Sequence, residues 1–295
     1  MKRILVLFLI LLIFGLGFYY QNNILEIYNN TSKSIKDFKE NDLENVLKEV
    51  KREILVSSPL NVGGKENQVI LEKSKIIAYT NIQRYDNDLL PPLSLNLELE
   101  AAAKAKAEDM FLNQYFEHVS LSGIDPGQLV KNYGYDYIVT GENLILGNFV
   151  DEKEVVQKWM DSPGHRANIL NNRFSEIGVA IVKGKYKGQT VWIGVQEFGL
   201  PLSSCIKPSQ TFKSHIETNK NKLDEIAYQI NSKKIEIENT NPRSSGYNKL
   251  VNEYNKLVNE YNLLGKETKN IILQYNNQIN IFNNCLKGIK FTPTP

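Results

Sequence analysis

The chain has 295 residues, room for one domain of ordinary size and substantial extra parts. Its 35 Lys+Arg stand against 33 Asp+Glu, a formal charge of +2, so no broad basic face is available and nucleic-acid binding is excluded as a working hypothesis. The two cysteines, Cys205 and Cys285, fit a compartment outside the cytoplasm.

The first element is the apolar run Ile4–Tyr20, preceded by Lys2 and Arg3. A basic start before such a run is an export signal or a membrane anchor. It is near the lower length limit for crossing about 30 Å of hydrocarbon as a helix. No small-x-small cleavage site follows, and Phe18-Tyr19-Tyr20 resembles an interfacial aromatic belt. Residues 1–22 are therefore read as an uncleaved, single-pass signal anchor with the bulk of the chain outside the cytoplasm. Secretion after cleavage is the alternative. Residues 23–69 read as a polar stalk containing one amphipathic helix (Ile35, Phe38, Leu43, Val46, Val50), and "SSPLNVGGKEN" marks its boundary by Pro and Gly-Gly.

Residues 70–201 have the texture of a mixed α+β domain. "EKSKIIAYTNIQRYDN" and the alanine-rich "LNLELEAAAKAKAEDMFLNQY" read as helices, as does "EKEVVQKWM". Ser162-Pro163-Gly164 stops the last of these, because proline disfavours helix in the residue before it. "IGVAIVKG" and "TVWIGVQEFG" read as strands joined by a glycine-containing turn.

Residues 205–287 read as a helical hairpin. "YNKLVNEYNKLVNEYN" is a literal seven-residue repeat, with Tyr247, Tyr254, Tyr261, Thr268, Tyr275 and Phe282 at one heptad position. Leu250, Leu257, Leu264, Ile271, Gln278 and Cys285 stand three residues later, which makes a coiled-coil seam. The preceding arm carries Phe212, Ile216, Asn219, Leu223, Ile226, Ile230, Lys233 and Ile237 at similar spacing, and the turn-rich "NTNPRSSGYN" separates the two. If Cys205 faces Cys285 the reversal falls near residue 245, and a disulfide clamps the open end; two unpaired thiols are the alternative. The seam tyrosines are expected to reach solvent with their hydroxyls. Residues 288–295 form a tail.

Three short motifs carry the chemistry: "YFEHVS" with His118, "TGENLILG" with Glu142, and "WMDSPGHRAN" with His165. Singly each is weak: a lone histidine is more often structural than a ligand, and "GEN" alone reads as a turn. In this order, with "TNIQR" before them and the closing strands after them, they resemble the CAP superfamily of cysteine-rich secretory proteins, antigen 5 and pathogenesis-related proteins, in its bacterial branch. The likeness spans about residues 70–200. It implies a three-layer α-β-α sandwich with a central cleft, lined by His118, Glu142 and His165. Two imidazoles and a carboxylate are a ligand set for Zn²⁺ or another divalent metal. The second glutamate of many relatives falls on Ser162, so a four-residue set is incomplete.

The functional reading is a non-catalytic binding module for a lipid or a surface protein, held at the membrane by its N-terminal helix. "IDPGQLVKNYGYDYIVTGENLILGNF" supplies apolar and aromatic residues for a lipid groove, although Tyr133, Tyr135, Tyr137 and Ile145 serve equally as core. A Ser/His or metal-dependent hydrolase using Ser120 or Ser162 is the enzymatic alternative; no G-x-S-x-G elbow or H-E-x-x-H helix is present. A surface protein whose hairpin does the recognition is the structural alternative.

Overall fold

The computed structural model describes residues 52–287. The anchor over residues 1–22, the amphipathic helix expected within 23–51 and the 288–295 tail lie outside the described residues. No helix among the described residues is long and apolar enough to cross a membrane. The chain divides into two units, one centred on residues 50–206 and the other on 207–285.

The first unit is built on a six-stranded mixed sheet: β1 (Glu53–Val56), β2 (Leu60–Gly63), β3 (Ser94–Leu95), β4 (Tyr137–Gly147), β5 (Glu176–Tyr186) and β6 (Gln189–Pro201). Its order is β1-β4-β6-β5-β3, with β2 continuing along β4 beyond β1. The long strands β4, β6 and β5 pair antiparallel, while β1 and β2 add to β4, and β3 to β5, in parallel. Helices cover both faces. α1 (Lys73–Asp88), α4 (Glu152–Asp161) and α5 (Pro163–Ile169) bury Ile76, Val155, Val156, Trp159 and Ile169 against one. α2 (Leu97–Asn113) and α3 (Pro126–Asn132) cover the other, with Ala103, Ala107 and Met110 of α2 packed on Leu144, Ile193 and Val195. This is the expected three-layer arrangement.

Local chemistry sets the helix limits. Asn96 accepts the Glu98 and Leu99 amides to start α2, and Asp151 accepts that of Glu154 to start α4. The alanines of α2 let it lie close to β5: a Cβ on Gly178 would fall 2.1 Å from the Leu99 and Glu100 backbone. Ser162 ends α4 as expected, yet helix resumes at once as α5, because Pro163 occupies its first turn, where a missing N–H costs nothing. His165 therefore sits in the first turn of a short helix.

Two segments differ from the expectation. Residues 53–63, assigned to the stalk, are strands of the sheet. Pro59 falls in the step between β1 and β2, where no ladder bond is required of it. The "GEN" motif is no turn but the middle of β4, all eleven residues of which are buried. Tyr135, Tyr137 and Ile145 belong to the core, and of the four residues offered as groove lining only Tyr133 is exposed.

The second unit is a helical hairpin of α6 (Gln210–Glu238) and α7 (Tyr247–Leu286). Lys233 pairs with Glu253 at 2.8 Å and Lys222 with Glu260 at 3.7 Å, which centres the reversal at residues 243 and 241, slightly before the expected 245. Of the six residues at the first heptad position, Tyr261, Thr268, Tyr275 and Phe282 are buried and Tyr247 and Tyr254 are half-buried. Their companions at full burial are Val258, Gly265, Ile272 and Ile279, whereas Leu257, Leu264 and Ile271 are half-buried. With one partner helix the contact stripe is rotated by one position, and Tyr275 is enclosed instead of reaching solvent. Both cysteines are disulfide-bonded, and the chain has two.

Candidate functional site

The site is a notch in the outer edge of β4. β1 covers that edge at Val139–Glu142 and β2 at Ile145–Gly147; residues 57–59 step across Asn143 and Leu144 between them. Alternation along β4 sends Glu142 towards the α2 face and Asn143 towards the α1/α4/α5 face. His118, beyond α2, and His165, in α5, therefore approach the notch from opposite faces.

His118 and Glu142 meet directly. The imidazole Nδ1 lies 2.5 Å from Glu142 Oε1, and Nε2 contacts the Ser57 carbonyl oxygen. Lys106 of α2 donates from Nζ to the His118 carbonyl at 2.6 Å, which holds the histidine's main chain in place. Burial lowers the Lys106 pKa, opposed by the negative field of Glu142 and Glu197.

Glu197 faces Glu142 across the β4–β6 pairing, and both are completely buried. Burial first, and then the Glu142 charge, push the Glu197 carboxyl well above the usual carboxylate range. As carboxylates the two offer each other only acceptors, and among the described residues neither Glu197 oxygen has another partner; a proton on Glu197 supplies the missing donor.

His165 is also buried but bonds neither Glu142 nor His118. Its Nδ1 lies 2.8 Å from Ser162 Oγ, while Nε2 makes no hydrogen bond of normal geometry among the described residues. Burial, and after it the nearness of His118, push its pKa down to about 4, with the Leu144 main chain pulling weakly the other way.

A buried polar chain fixes the α5 backbone. Thr80 Oγ1 accepts from Gln196 Nε2 at 2.8 Å, and Asn143 Nδ2 donates to Gln196 Oε1 and to the His165 carbonyl, both at 3.1 Å. Asn168 Nδ2 closes it by donating to Asn143 Oδ1 at 3.0 Å. Arg84, fully buried, donates to the carbonyls of Ile169 and Asn171 at 2.7 and 2.9 Å and so anchors the far end of α5. Thus the "TNIQR", "GEN" and "HRAN" motifs are linked through one network.

Residues 78–198 match the family model described as the cysteine-rich secretory protein family, CAP. They form a CAP domain. YkwD of Bacillus subtilis is 38% identical over 127 residues, 43% of this chain and 46% of the relative. The membrane protein YlbC of the same organism is 31% identical over 122 residues, covering 41% and 34%. The chain thus spans less than half the length of these two curated relatives. Among solved structures, an extracellular protein containing an SCP domain from Bacillus anthracis is 29% identical, covering 43% of this chain and 39% of its own, with a TM-score of 0.37. An outer surface protein from Borrelia burgdorferi is 25% identical, covering 46% of this chain and 99% of its own, also with a TM-score of 0.37.

In this CAP domain the three expected residues do not make a ready metal site. His118 spends both ring nitrogens on Glu142 and Ser57, and the unspent His165 Nε2 belongs to a separate pair. Among the described residues, no three His, Cys, Asp or Glu side chains are grouped to hold an ion. Two site residues escaped the sequence reading. Lys106 falls on the α2 stripe of Leu99, Ala102, Ala103, Ala107 and Met110, and Glu197 on the inward positions of β6 with Ile193 and Val195. A charge on an apolar stripe was the available signal for each.

Proposed function

We propose that the CAP domain is a non-catalytic binding module for a protein ligand, carried outside the cytoplasm by an N-terminal anchor. The observation that carries this reading is the division of the polar groups into two pairs. Acyl transfer by a Ser-His-acid relay needs one histidine touching both nucleophile and acid. Here Ser162 contacts His165, while Glu142 contacts His118. Ser120 is spent on Ser122 and on the Ile124 amide. Of the residues that would line a lipid groove, Tyr135, Tyr137 and Ile145 are core and Tyr133 alone is exposed, which favours a protein ligand over a lipid. Bonded cysteines fit an oxidising compartment, and YlbC of Bacillus subtilis, 31% identical over the matched residues, is a membrane protein. Divalent metal at the notch requires His118 Nε2 to leave the Ser57 carbonyl first, and the module reading does not depend on it.

The Ser162–His165 contact of 2.8 Å is the one observation favouring hydrolysis. Purified protein incubated with activated esters and with casein distinguishes the two readings. No turnover above buffer is expected. Turnover that disappears in Ser162→Ala and His165→Asn would replace binding by catalysis.

A further inference from the structure

We infer that the outer edge of β4 is a groove for an extended peptide, held shut in this chain by its own residues 53–63. The inference deepens the binding-module reading by naming the ligand's chemistry.

The strap is attached as a ligand would be. Two side chains of the site hold it by main-chain carbonyls: His118 Nε2 meets the Ser57 oxygen, and Asn168 Nδ2 donates to the Leu55 oxygen at 3.3 Å. The rest is parallel strand addition, which any extended backbone can supply. Pockets for particular side chains add selectivity. Glu53 pairs with Arg173, and Leu55, Leu60 and Val62 seat against the edge of the core. At residue 57 space is short: a Cβ on Gly164 would stand 2.6 Å from Ser57 Cβ, so both positions must stay small. The preferred ligand is an extended peptide with an acidic residue, then an apolar one two positions on, a small one two further, and apolar residues three and five beyond that.

The strap is also built to leave. Its strands have four residues each, are interrupted at 57–59 and lose register between Asn61 and Gly63. Ile54 and Val56 are 37% and 48% exposed, and the Arg52–Asp136 and Glu53–Arg173 pairs are solvent-facing. The strap lies outside residues 78–198, the span matched by the family model. Behind this thin cover sit the His118–Glu142 pair and the buried Glu197, groups that closing a sheet edge does not require.

The test uses full-length protein and a fluorescent peptide of residues 53–64. Anisotropy should show at least tenfold tighter binding to Leu55→Asp/Leu60→Asp protein than to the unaltered protein, and a Ser57→Trp peptide should lose that binding. Equal binding to both proteins, or a Ser57→Trp peptide that binds as well, overturns the inference. Should the double variant not fold, hydrogen exchange on the unaltered protein decides: strap amides should exchange at least a hundredfold faster than those of the β4–β6 ladder. A strap that exchanges only with global unfolding refutes the groove while leaving the module reading standing. A strap-exchanged dimer at micromolar concentration would assign the groove to a second copy and overturn the peptide assignment.

Discussion

Acidification should destabilise the sandwich through His165 in particular. This imidazole is 1% exposed, and its pKa is pushed from 6.5 to about 4, chiefly by burial. A base with a depressed folded pKa stabilises fully above its unfolded value, and that stability is lost as pH falls through 6.5 towards 4. At about 1.4 kcal/mol per pKa unit, a shift from 6.5 to about 4 costs about 3 kcal/mol by pH 4. Glu197 acts with the opposite sign: its raised pKa means stability is present at low pH and lost as pH rises above the ordinary carboxylate value. The clean measurement is therefore the difference between the protein and its His165→Asn variant, since Glu197 is common to both. Asn retains a group near the position of Nδ1 for Ser162 and does not titrate. The chain's two tryptophans, Trp159 and Trp192, both lie in the sandwich, so fluorescence-monitored urea unfolding, with chelator present, reports that unit. Between pH 7.5 and pH 4 the unaltered protein should lose about 3 kcal/mol more than the variant. Parallel curves would refute the claim that a buried neutral imidazole occupies this position.

Three further outcomes follow from the packing. Gly178→Ala drives a Cβ into the start of α2, where only backbone stands in the way; a loss above about 3 kcal/mol is expected by the same fluorescence assay. Asn143→Ala strands Gln196, Asn168 and the His165 carbonyl without their shared partner, and should cost about 2–4 kcal/mol in urea unfolding. Reducing the disulfide frees the long loop from Cys205 to Cys285; hairpin melting, followed by helical ellipticity, should lose about 4 kcal/mol, and an unchanged midpoint would show the clamp to be idle.

Several elements were legible in the sequence. α1, α2, α4, β5 and β6 begin and end within two or three residues of the expectation: the helices keep one wet face whose period can be read, and the two strands are apolar, β-branched runs on either side of a glycine-containing turn. β4 was not, since its Thr140-Gly141-Glu142-Asn143 run has the composition of a turn although all of it is buried. The strap was hidden for a related reason: Pro59 and Gly63-Gly64 have the composition of a linker while serving a stepped edge strand. In the site, the motifs named His118 and Glu142, which lie in contact. What they missed is the facing of Glu197 and Glu142, set by the β4–β6 register, and the local contact of Ser162 with His165 at the start of α5.

The polar chain through the core grips α5 at the carbonyl of residue 165, an atom common to all amino acids. Scaffold and reagent are thereby uncoupled at this position. That grip is open to any residue no larger than the imidazole, so a swap of that kind isolates the ring's own contribution, and the notch offers itself for re-tailoring without rebuilding its walls.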